Sequence, residues 1–493
     1  MPVSVPSDFE HFANSVQEIS TTLQKLGASK AIVKVLPKNA NDKNQIYFSS
    51  DFGVLYNNFE LKLAERGAST SVTKRTSRPG SHIPEAVFVS FGWVKRSGVV
   101  IKAKNVKAIV YTQYPEARLS GFLSVDNTMP QALSVNYTKS NPKETRLLVM
   151  ACMPGGGCLG LIYIGAPPEL IAEIAALPSA EGSRICKVLN VDQNYSERLF
   201  AQLESLVARP HKGCRLDSFG TTRPFTGTQV CGYTLEHALG LSSNSGKDGD
   251  IYGIELKTHT QPKVTLFTPE PDFGPYVTSF EEFMHRYGYE AIPGEWRLTG
   301  VHRANKRCST SKLTLKVREY RVDPATVGRG SEIKVDWLRD SNHERIPFPY
   351  DSSTSLTAKL DAVEVVLLDD DGEVAAGWSL ERLMNNWGVK HNEVMYIAAT
   401  KQIATDKAEI AEGYGFNITF SPKVIWCRGT SAERLIDAID SGVIFLDPAP
   451  KFVDEDPGKN KRRSQWRVND VHKAIHALYD VVSERSLIPS GVL

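Results

Sequence analysis

The segment Asp250–Lys257 constrains the chain most, because it combines the alternation of a strand with three charged side chains. Strand side chains point alternately to opposite faces, so Glu255 and Lys257 share one face while aliphatic residues occupy the other. Gly253 interrupts the strand and permits a bend that brings Asp250 round to the same side. The segment therefore predicts two carboxylates and an ammonium group on one polar face, backed by apolar residues.

These three groups have a chemical use. Two carboxylates with open coordination positions can hold Mg²⁺, which takes oxygen ligands and keeps several of its waters. The ion makes a bound water a better nucleophile and offsets charge on a transferring phosphoryl group, and a nearby lysine can orient that water. D-x(n)-E-x-K is the pattern of the PD-(D/E)xK nucleases. The alternative is a solvated strand face whose ion pairs contribute little, because E-x-K alone occurs in many strands.

Sequence blocks on both sides of the strand extend this pattern. They are Thr226-Gly227-Thr228, Tyr233-Thr234-Leu235-Glu236, Leu239-Gly240, Asn244, Asp250, Gly253, Glu255-Leu256-Lys257 and Thr265-Leu266-Phe267-Thr268. With them, the chain closely resembles the MvaI/BcnI restriction endonucleases, PD-(D/E)xK enzymes that act as monomers on short DNA sites. The resemblance runs from about residue 206 to the C-terminus and implies an α/β core, a mixed sheet flanked by helices.

The resemblance also implies a catalytic set of Glu236, Asp250, Glu255 and Lys257. Asp250 and Glu255 would hold Mg²⁺, Lys257 would position and polarise the attacking water, and Glu236 would be a further metal or water ligand. The implied reaction is hydrolysis of double-stranded DNA at a short specific site, leaving a 5′-phosphate and a 3′-hydroxyl. Two other functions stay open: a DNA-binding regulator or repair accessory that no longer cuts, and a nicking or mismatch-repair endonuclease.

Length and composition bound the rest of the interpretation. A chain of 493 residues indicates two to four domains, and its net charge of +2 means that DNA binding must depend on local patches. Seven cysteines without a C-x-x-C pair favour free thiols in a reducing cytoplasm. No leader pattern and no long apolar run are present, so no membrane span is expected. We expect a monomer or weak oligomer in the cytoplasm of a prokaryotic cell.

The chain is predicted to divide near residue 205. Residues 1–205 contain short strand patterns with turn signals, which indicate a mainly β domain. Such a domain could supply a second specificity site, a modification sensor or an autoinhibitory clamp. In residues 206–493 strands and helices alternate, as in an α/β core.

Two places in the first domain are candidates for DNA contact. The basic loop from 69 to 82 contains Lys74 and Arg75, whose charges suit phosphate contacts. A turn near Arg118 could present that guanidinium to a guanine. The alternatives are a solvated loop and a structural pair of Arg118 with Glu116.

The C-terminal part contains a Gly- and Pro-bearing loop with many long hydrogen-bond donors, which suits a DNA groove. The candidates are Lys461, Arg462, Arg463, Gln465 and Arg467. In the resembling family this region supplies base-reading side chains. The family's Asp-x-Arg after the apolar strand is replaced here by Asp447-Pro448-Ala449, so the family's recognition sequences do not carry over. A solvated basic loop is the alternative.

Overall fold

A computed structural model describes most of the chain. The described residues are 7–36, 45–49, 52–65, 84–111, 116–181, 183–191, 195–207, 209–217, 219–241, 250–323, 337–359 and 362–487. Within these ranges, no helix combines the length and the apolar character that crossing a membrane requires.

The N-terminal region consists mainly of strands, as predicted. They are β1 (Glu10–His11), β2 (Lys30–Leu36), β3 (Ile46–Ser49), β4 (Leu61–Glu65), β5 (Pro84–Phe88), β6 (Phe91–Val94), β7 (Val100–Lys102), β8 (Lys107–Tyr111), β9 (Glu116–Ser120), β10 (Arg146–Met153), β11 (Gly157–Ile164) and β12 (Cys186–Asn190). One sheet has the order β12-β2-β10-β11-β6-β7, with β1 beside β11. The other has the order β3-β9-β8-β5-β4, so β4 is an edge strand.

Five helices accompany these sheets. They are α1 (Val16–Lys25), α2 (Gly53–Tyr56), α3 (Val135–Ser140), α4 (Pro168–Ala176) and α5 (Tyr195–Glu204). The helix α1 buries a stripe that includes Ile19 and Leu23 against the outer face of the first sheet. Ser15 caps it, because its side chain accepts a hydrogen bond from Glu18 N.

The remaining strands belong to smaller sheets and to one larger mixed sheet. They are β13 (Pro210–Lys212), β14 (Cys214–Leu216), β15 (Thr222–Pro224), β16 (Glu255–His259), β17 (Val264–Phe267), β18 (Tyr289–Ile292), β19 (Glu295–Arg297), β20 (Thr314–Tyr320), β21 (Pro347–Pro349), β22 (Val363–Leu368), β23 (Val374–Ser379), β24 (Glu393–Ile403), β25 (Phe416–Arg428), β26 (Phe445–Leu446), β27 (Lys451–Val453), β28 (Trp466–Val468) and β29 (Val481–Ser486). The helices are α6 (Val230–Ala238), α7 (Pro275–Thr278), α8 (Phe280–Tyr287), α9 (Leu380–His391), α10 (Lys407–Ala411), α11 (Ala432–Asp440) and α12 (Val471–Leu478).

The mixed sheet has the order β13-β25-β24-β16, with β29 beside β25. The strand β16 runs parallel to β24, which places Glu255 opposite Val394 and Lys257 opposite Tyr396. One face packs on α5 and α6 through a core that joins Phe200, Leu235 and Ile397. The sheet therefore holds the Glu255–Lys257 segment between buried layers.

The two-stranded sheet β14-β15 and three further small sheets complete the C-terminal region. The orders of these three are β17-β28-β26, β18-β19-β27 and β21-β20-β22-β23. The largest hydrophobic core includes residues of these strands together with residues of the N-terminal sheets. The helix α5, which precedes residue 205, packs into the core of the mixed sheet. The division at residue 205 stays a prediction.

Candidate active site

The segment that carries the predicted site begins with a tight turn rather than with a strand. Backbone hydrogen bonds join Ile251 N to Ile254 O at 3.2 Å and Ile254 N to Ile251 O at 2.8 Å. Between them, Tyr252 has φ 53° and Gly253 has φ 81°, the two left-handed positions of a type I′ turn. The prediction of a strand from Asp250 onward was wrong, because the strand starts only after this turn. The predicted bend at Gly253 is present.

The turn brings Asp250 back beside the start of β16. The backbone N–H of Leu256 donates to Asp250 Oδ2 at 2.8 Å, which fixes that carboxylate next to Glu255. On the strand, Lys257 Nζ lies 3.0 Å from Glu255 Oε1, as the alternation of strand side chains predicted. Glu255 is only 6% exposed, so this ion pair is formed largely away from water.

A third carboxylate approaches from α6. This helix buries Val230 and Leu235 and leaves Glu236 half-buried. Burial, followed by the negative charges of Asp250 and Glu255, raises the pKa of Glu236 to about 7. Burial and the charge of Glu255 likewise raise the pKa of Asp250 to about 6. The structure therefore places Glu236 and Asp250 where burial and neighbouring negative charge both favour the protonated carboxyl.

A second lysine, which the sequence analysis missed, also faces this cluster. Lys390 lies in the last turn of α9, and its Nζ is 3.8 Å from Glu255 Oε2. Its charge opposes the rise in the pKa of both Glu236 and Asp250. A lysine at the end of a helix ordinarily indicates interaction with the helix dipole, so the sequence carried no signal for this contact.

The chemistry of these groups fits a hard cation. Glu255 Oε2 is buried and has no hydrogen-bond partner in the described part of the chain, and the neighbouring carboxylates add negative charge. Among the described residues, no three carboxylate, imidazole or thiol groups form a ready-made metal shell. Mg²⁺ needs only one or two protein carboxylates and keeps several waters, so Asp250 and Glu255 suit it.

A comparison with known families decides what kind of protein carries this site. The model of the MvaI/BcnI restriction endonuclease family matches residues 218–479, more than half of the chain. The chain belongs to the MvaI/BcnI restriction endonuclease family. All four predicted catalytic residues lie within the matched range, and the N-terminal sheets lie outside it. The predicted resemblance and the α/β fold class of the PD-(D/E)xK type are confirmed.

Two solved structures are similar to this MvaI/BcnI family member. The restriction endonuclease MvaI in complex with cognate DNA is 16% identical, with a TM-score of 0.41, over 60% of this chain and 100% of that chain. MvaI in the absence of DNA is 16% identical, with a TM-score of 0.30, over 60% and 99% of the two chains. No curated protein matches the chain.

The DNA-contact residues predicted in the N-terminal region have different outcomes. Lys74 and Arg75 lie outside the described residues. Arg118 lies in β9, opposite Ile109 on one side and Tyr47 on the other. The expectation that Arg118 lies in a turn was wrong, because it occupies the middle of a three-strand ladder. Its role in DNA contact stays a prediction.

Two of the arginines predicted for the C-terminal loop have protein partners, and one of them, Arg467, lies in the strand β28 rather than in a loop. Arg462 lies over the ring of Phe280 at 4.5 Å, and its guanidinium donates to Tyr276 O at 2.9 Å. Arg467 Nη1 donates to Asp447 Oδ2 at 2.9 Å, and its Nε donates to Thr265 Oγ1. These contacts hold the loop against α8 and β17.

The other three members of the predicted set are placed differently. Lys461 and Arg463 are exposed, and Gln465 is half-buried. The backbone oxygens of Arg463 and Gln465 accept hydrogen bonds from Ala449 N and Asp447 N. The exposed Lys461 and Arg463 are therefore the members of this set that are open to a DNA backbone.

Proposed function

We propose that this protein is a Mg²⁺-dependent endonuclease that hydrolyses phosphodiester bonds of double-stranded DNA at a short specific site. The observation that carries the proposal is the convergence of Glu236, Asp250 and Glu255 with Lys257 and Lys390 inside the family-matched region. Partly buried carboxyl groups with raised pKa values, here Glu236 and Asp250, beside charged partners are typical of a functional site.

We propose the following roles for these residues. Asp250 and Glu255 would hold Mg²⁺, which when bound supplies a water of lowered pKa and offsets charge on the scissile phosphate. Lys257 Nζ, 3.0 Å from Glu255, is placed to orient the attacking water and to balance the growing negative charge. Glu236, whose pKa is raised to about 7, can hold a proton near neutral pH. Water adds to phosphorus and the bond to the 3′ oxygen breaks, leaving a 5′-phosphate and a 3′-hydroxyl.

We also propose a biological setting. The protein acts on double-stranded DNA as a monomer or weak oligomer in the cytoplasm of a prokaryotic cell, in defence against foreign DNA. All seven cysteines are free and buried, which supports a reducing compartment. The N-terminal sheets contribute DNA binding, modification sensing or autoinhibition.

Incubation of the purified protein with unmodified and modified plasmid or phage DNA tests the proposal. We expect discrete fragments with Mg²⁺, none with EDTA, and none with Glu255→Ala or Lys257→Ala. Lys473→Ala is the matched control, because that side chain is 88% exposed and its ion-pair partner is Asp470, not a carboxylate of the cluster. Cutting by both active-site variants at the wild-type rate would refute the assigned site. Binding without cutting by the wild type would favour a regulator.

A further inference from the structure

The helix α9 lies between the N-terminal sheets and the candidate active site. Its first half covers the edge strand β4: Leu63 N donates to Glu381 Oε2 at 2.6 Å, and Asn385 Nδ2 donates to Leu61 O at 2.8 Å. An exposed edge strand presents unpaired backbone groups. Side chains of α9 form hydrogen bonds with two of these backbone groups. These bonds fix the position of α9 along β4, which apolar packing alone would not do.

One turn further along, the same helix packs closely against the N-terminal region. A Cβ added at Gly388 would lie 2.5 Å from the carbonyl oxygen of Tyr56, so a side chain there would force the two elements apart. Nearby, Asn57 Nδ2 donates to Thr430 O at 2.9 Å, and Trp387 Nε1 donates to Thr430 Oγ1 at 3.0 Å. The contact is therefore close-packed and hydrogen-bonded across both regions.

The end of α9 enters the active site. Lys390 follows Gly388 by two residues and lies 3.8 Å from Glu255 Oε2. His391 is fully buried, stacks on Trp387 at 4.0 Å, and reaches Leu266 O at 3.1 Å through Nε2. Because the last turn is held rigidly on both sides, a shift of the helix would move the Lys390 ammonium relative to Glu255.

The N-terminal region also comes near the turn that follows Asp250. A Cβ added at Gly253 would lie 3.7 Å from Ser29 Oγ, just before β2. The hydrogen bonds between the N-terminal sheets and the helix that leads to the site are those of α9 with β4. A domain joined only by a linker would not bond to α9 in this way.

We propose that the N-terminal sheets are a positioning element of the active site, and that they act through α9 on Lys390. Asn385 and Glu381 are positioning residues: they fix α9 on β4, and α9 fixes the Lys390 ammonium beside Glu255. The proposal rests on the proposed function, since Lys390 and Glu255 belong to the nuclease site. It adds that the N-terminal region is required for full cleavage even where it contacts no DNA.

Two adjacent asparagines provide a matched test in the full-length protein. Asn385 bonds to β4, whereas Asn386 Nδ2 donates to Arg382 O of its own helix at 2.8 Å. We expect Asn385→Ala to lower the single-turnover cleavage rate by about tenfold, since a misplaced catalytic group of this kind costs up to about 10²-fold. DNA affinity measured in EDTA should stay within about twofold, and Asn386→Ala should match the wild type. Glu381→Ala is a second variant with the same expectation.

A double-mutant cycle separates positioning from general damage. If Asn385 acts through Lys390, adding Asn385→Ala to Lys390→Ala should lower the rate no further, because mutations that act through one group are not additive. Independent, multiplicative losses would overturn the proposal.

A second readout does not require cleavage. In EDTA and without DNA, the backbone amides of residues 387–391 should exchange with solvent faster in Asn385→Ala and Glu381→Ala than in Asn386→Ala. Equal exchange in all three variants would overturn the coupling. If Asn385→Ala and Glu381→Ala exchange faster but the wild-type protein does not cut DNA, the coupling stands and the nuclease proposal is refuted.

Discussion

The raised pKa of Glu236 leads to a prediction about protein stability that can be tested without DNA. Glu236→Gln should stabilise the metal-free protein at pH 8. In the folded protein the pKa of Glu236 is raised from 4.5 to about 7, so the folded state keeps a proton that the unfolded state has already lost between those values. Stability therefore falls as pH rises through this window, and the full cost is present above it. The glutamine cannot ionise and avoids that cost.

The size of the effect follows from the shift. A pKa raised from 4.5 to about 7 corresponds to about 3 kcal/mol at about 1.4 kcal/mol per pH unit. Glu236 is only half-buried, and solvent screens its repulsion, so we expect a net gain of about 1–2 kcal/mol. The gain should be smaller at pH 5, where the carboxyl is protonated in much of the folded protein.

Urea unfolding in EDTA at pH 5 and pH 8 measures this gain. The midpoint for Glu236→Gln should lie above that of the wild type at pH 8 and close to it at pH 5. Glu455→Gln is the control, because that carboxylate is exposed. A midpoint for Glu236→Gln that is equal to or below the wild-type value at pH 8 would show that burial and the charges of Asp250 and Glu255 do not destabilise the ionised Glu236 as described.

Four further outcomes are expected. Mg²⁺ at about 100 times its dissociation constant should stabilise the wild type by about 2.7 kcal/mol in thermal unfolding, and much less in Glu255→Ala. Arg467→Ala should lower the free energy of unfolding by about 1–2 kcal/mol in urea titration, because the variant loses the hydrogen bonds of Arg467 to Asp447 and Thr265. Arg463→Ala should reduce the slope of log affinity against log salt by about 0.9 if this exposed side chain contacts a phosphate, as DNA binding at several salt concentrations would measure. Tyr252→Gly should lower thermal stability by about 1 kcal/mol, because the tyrosine ring packs against the core of the mixed sheet and its loss outweighs the relief of the left-handed φ of 53°.

The strand that carries Glu255 and Lys257 could be predicted from the sequence because the pattern that defines it is local. Alternation alone places Glu255 and Lys257 on one face, and the 3.0 Å ion pair between them confirms that prediction. The start of the strand could not be predicted in the same way. Type I′ turns usually have Asn-Gly or Asp-Gly at their central positions, whereas here Tyr252-Gly253 occupies them. The sequence therefore did not indicate the turn.

The basic C-terminal loop shows a different limit of the sequence. A run of arginines and lysines looks uniform, but the structure gives its members different partners. Arg462 lies on an aromatic ring, and Arg467 pairs with Asp447, while Arg463 is exposed. Because a partner such as Asp447 is distant in the chain, charge patterning could not separate side chains that hold the loop from those open to DNA.

The contact of Lys390 with Glu255 could not be predicted from the sequence, because it depends on tertiary packing. Its approach to Glu255 depends on where α9 lies, and α9 is fixed by Leu61 and Leu63 of an N-terminal strand that the family model does not cover. The family-matched sequence therefore contains the strand with Glu255 and Lys257, but only part of what places the Lys390 ammonium beside Glu255. If a relative without these N-terminal sheets keeps a lysine at this position, another element must fix its helix. Such relatives should therefore differ from this protein in the contacts of the helix equivalent to α9, even where their sequence motifs agree.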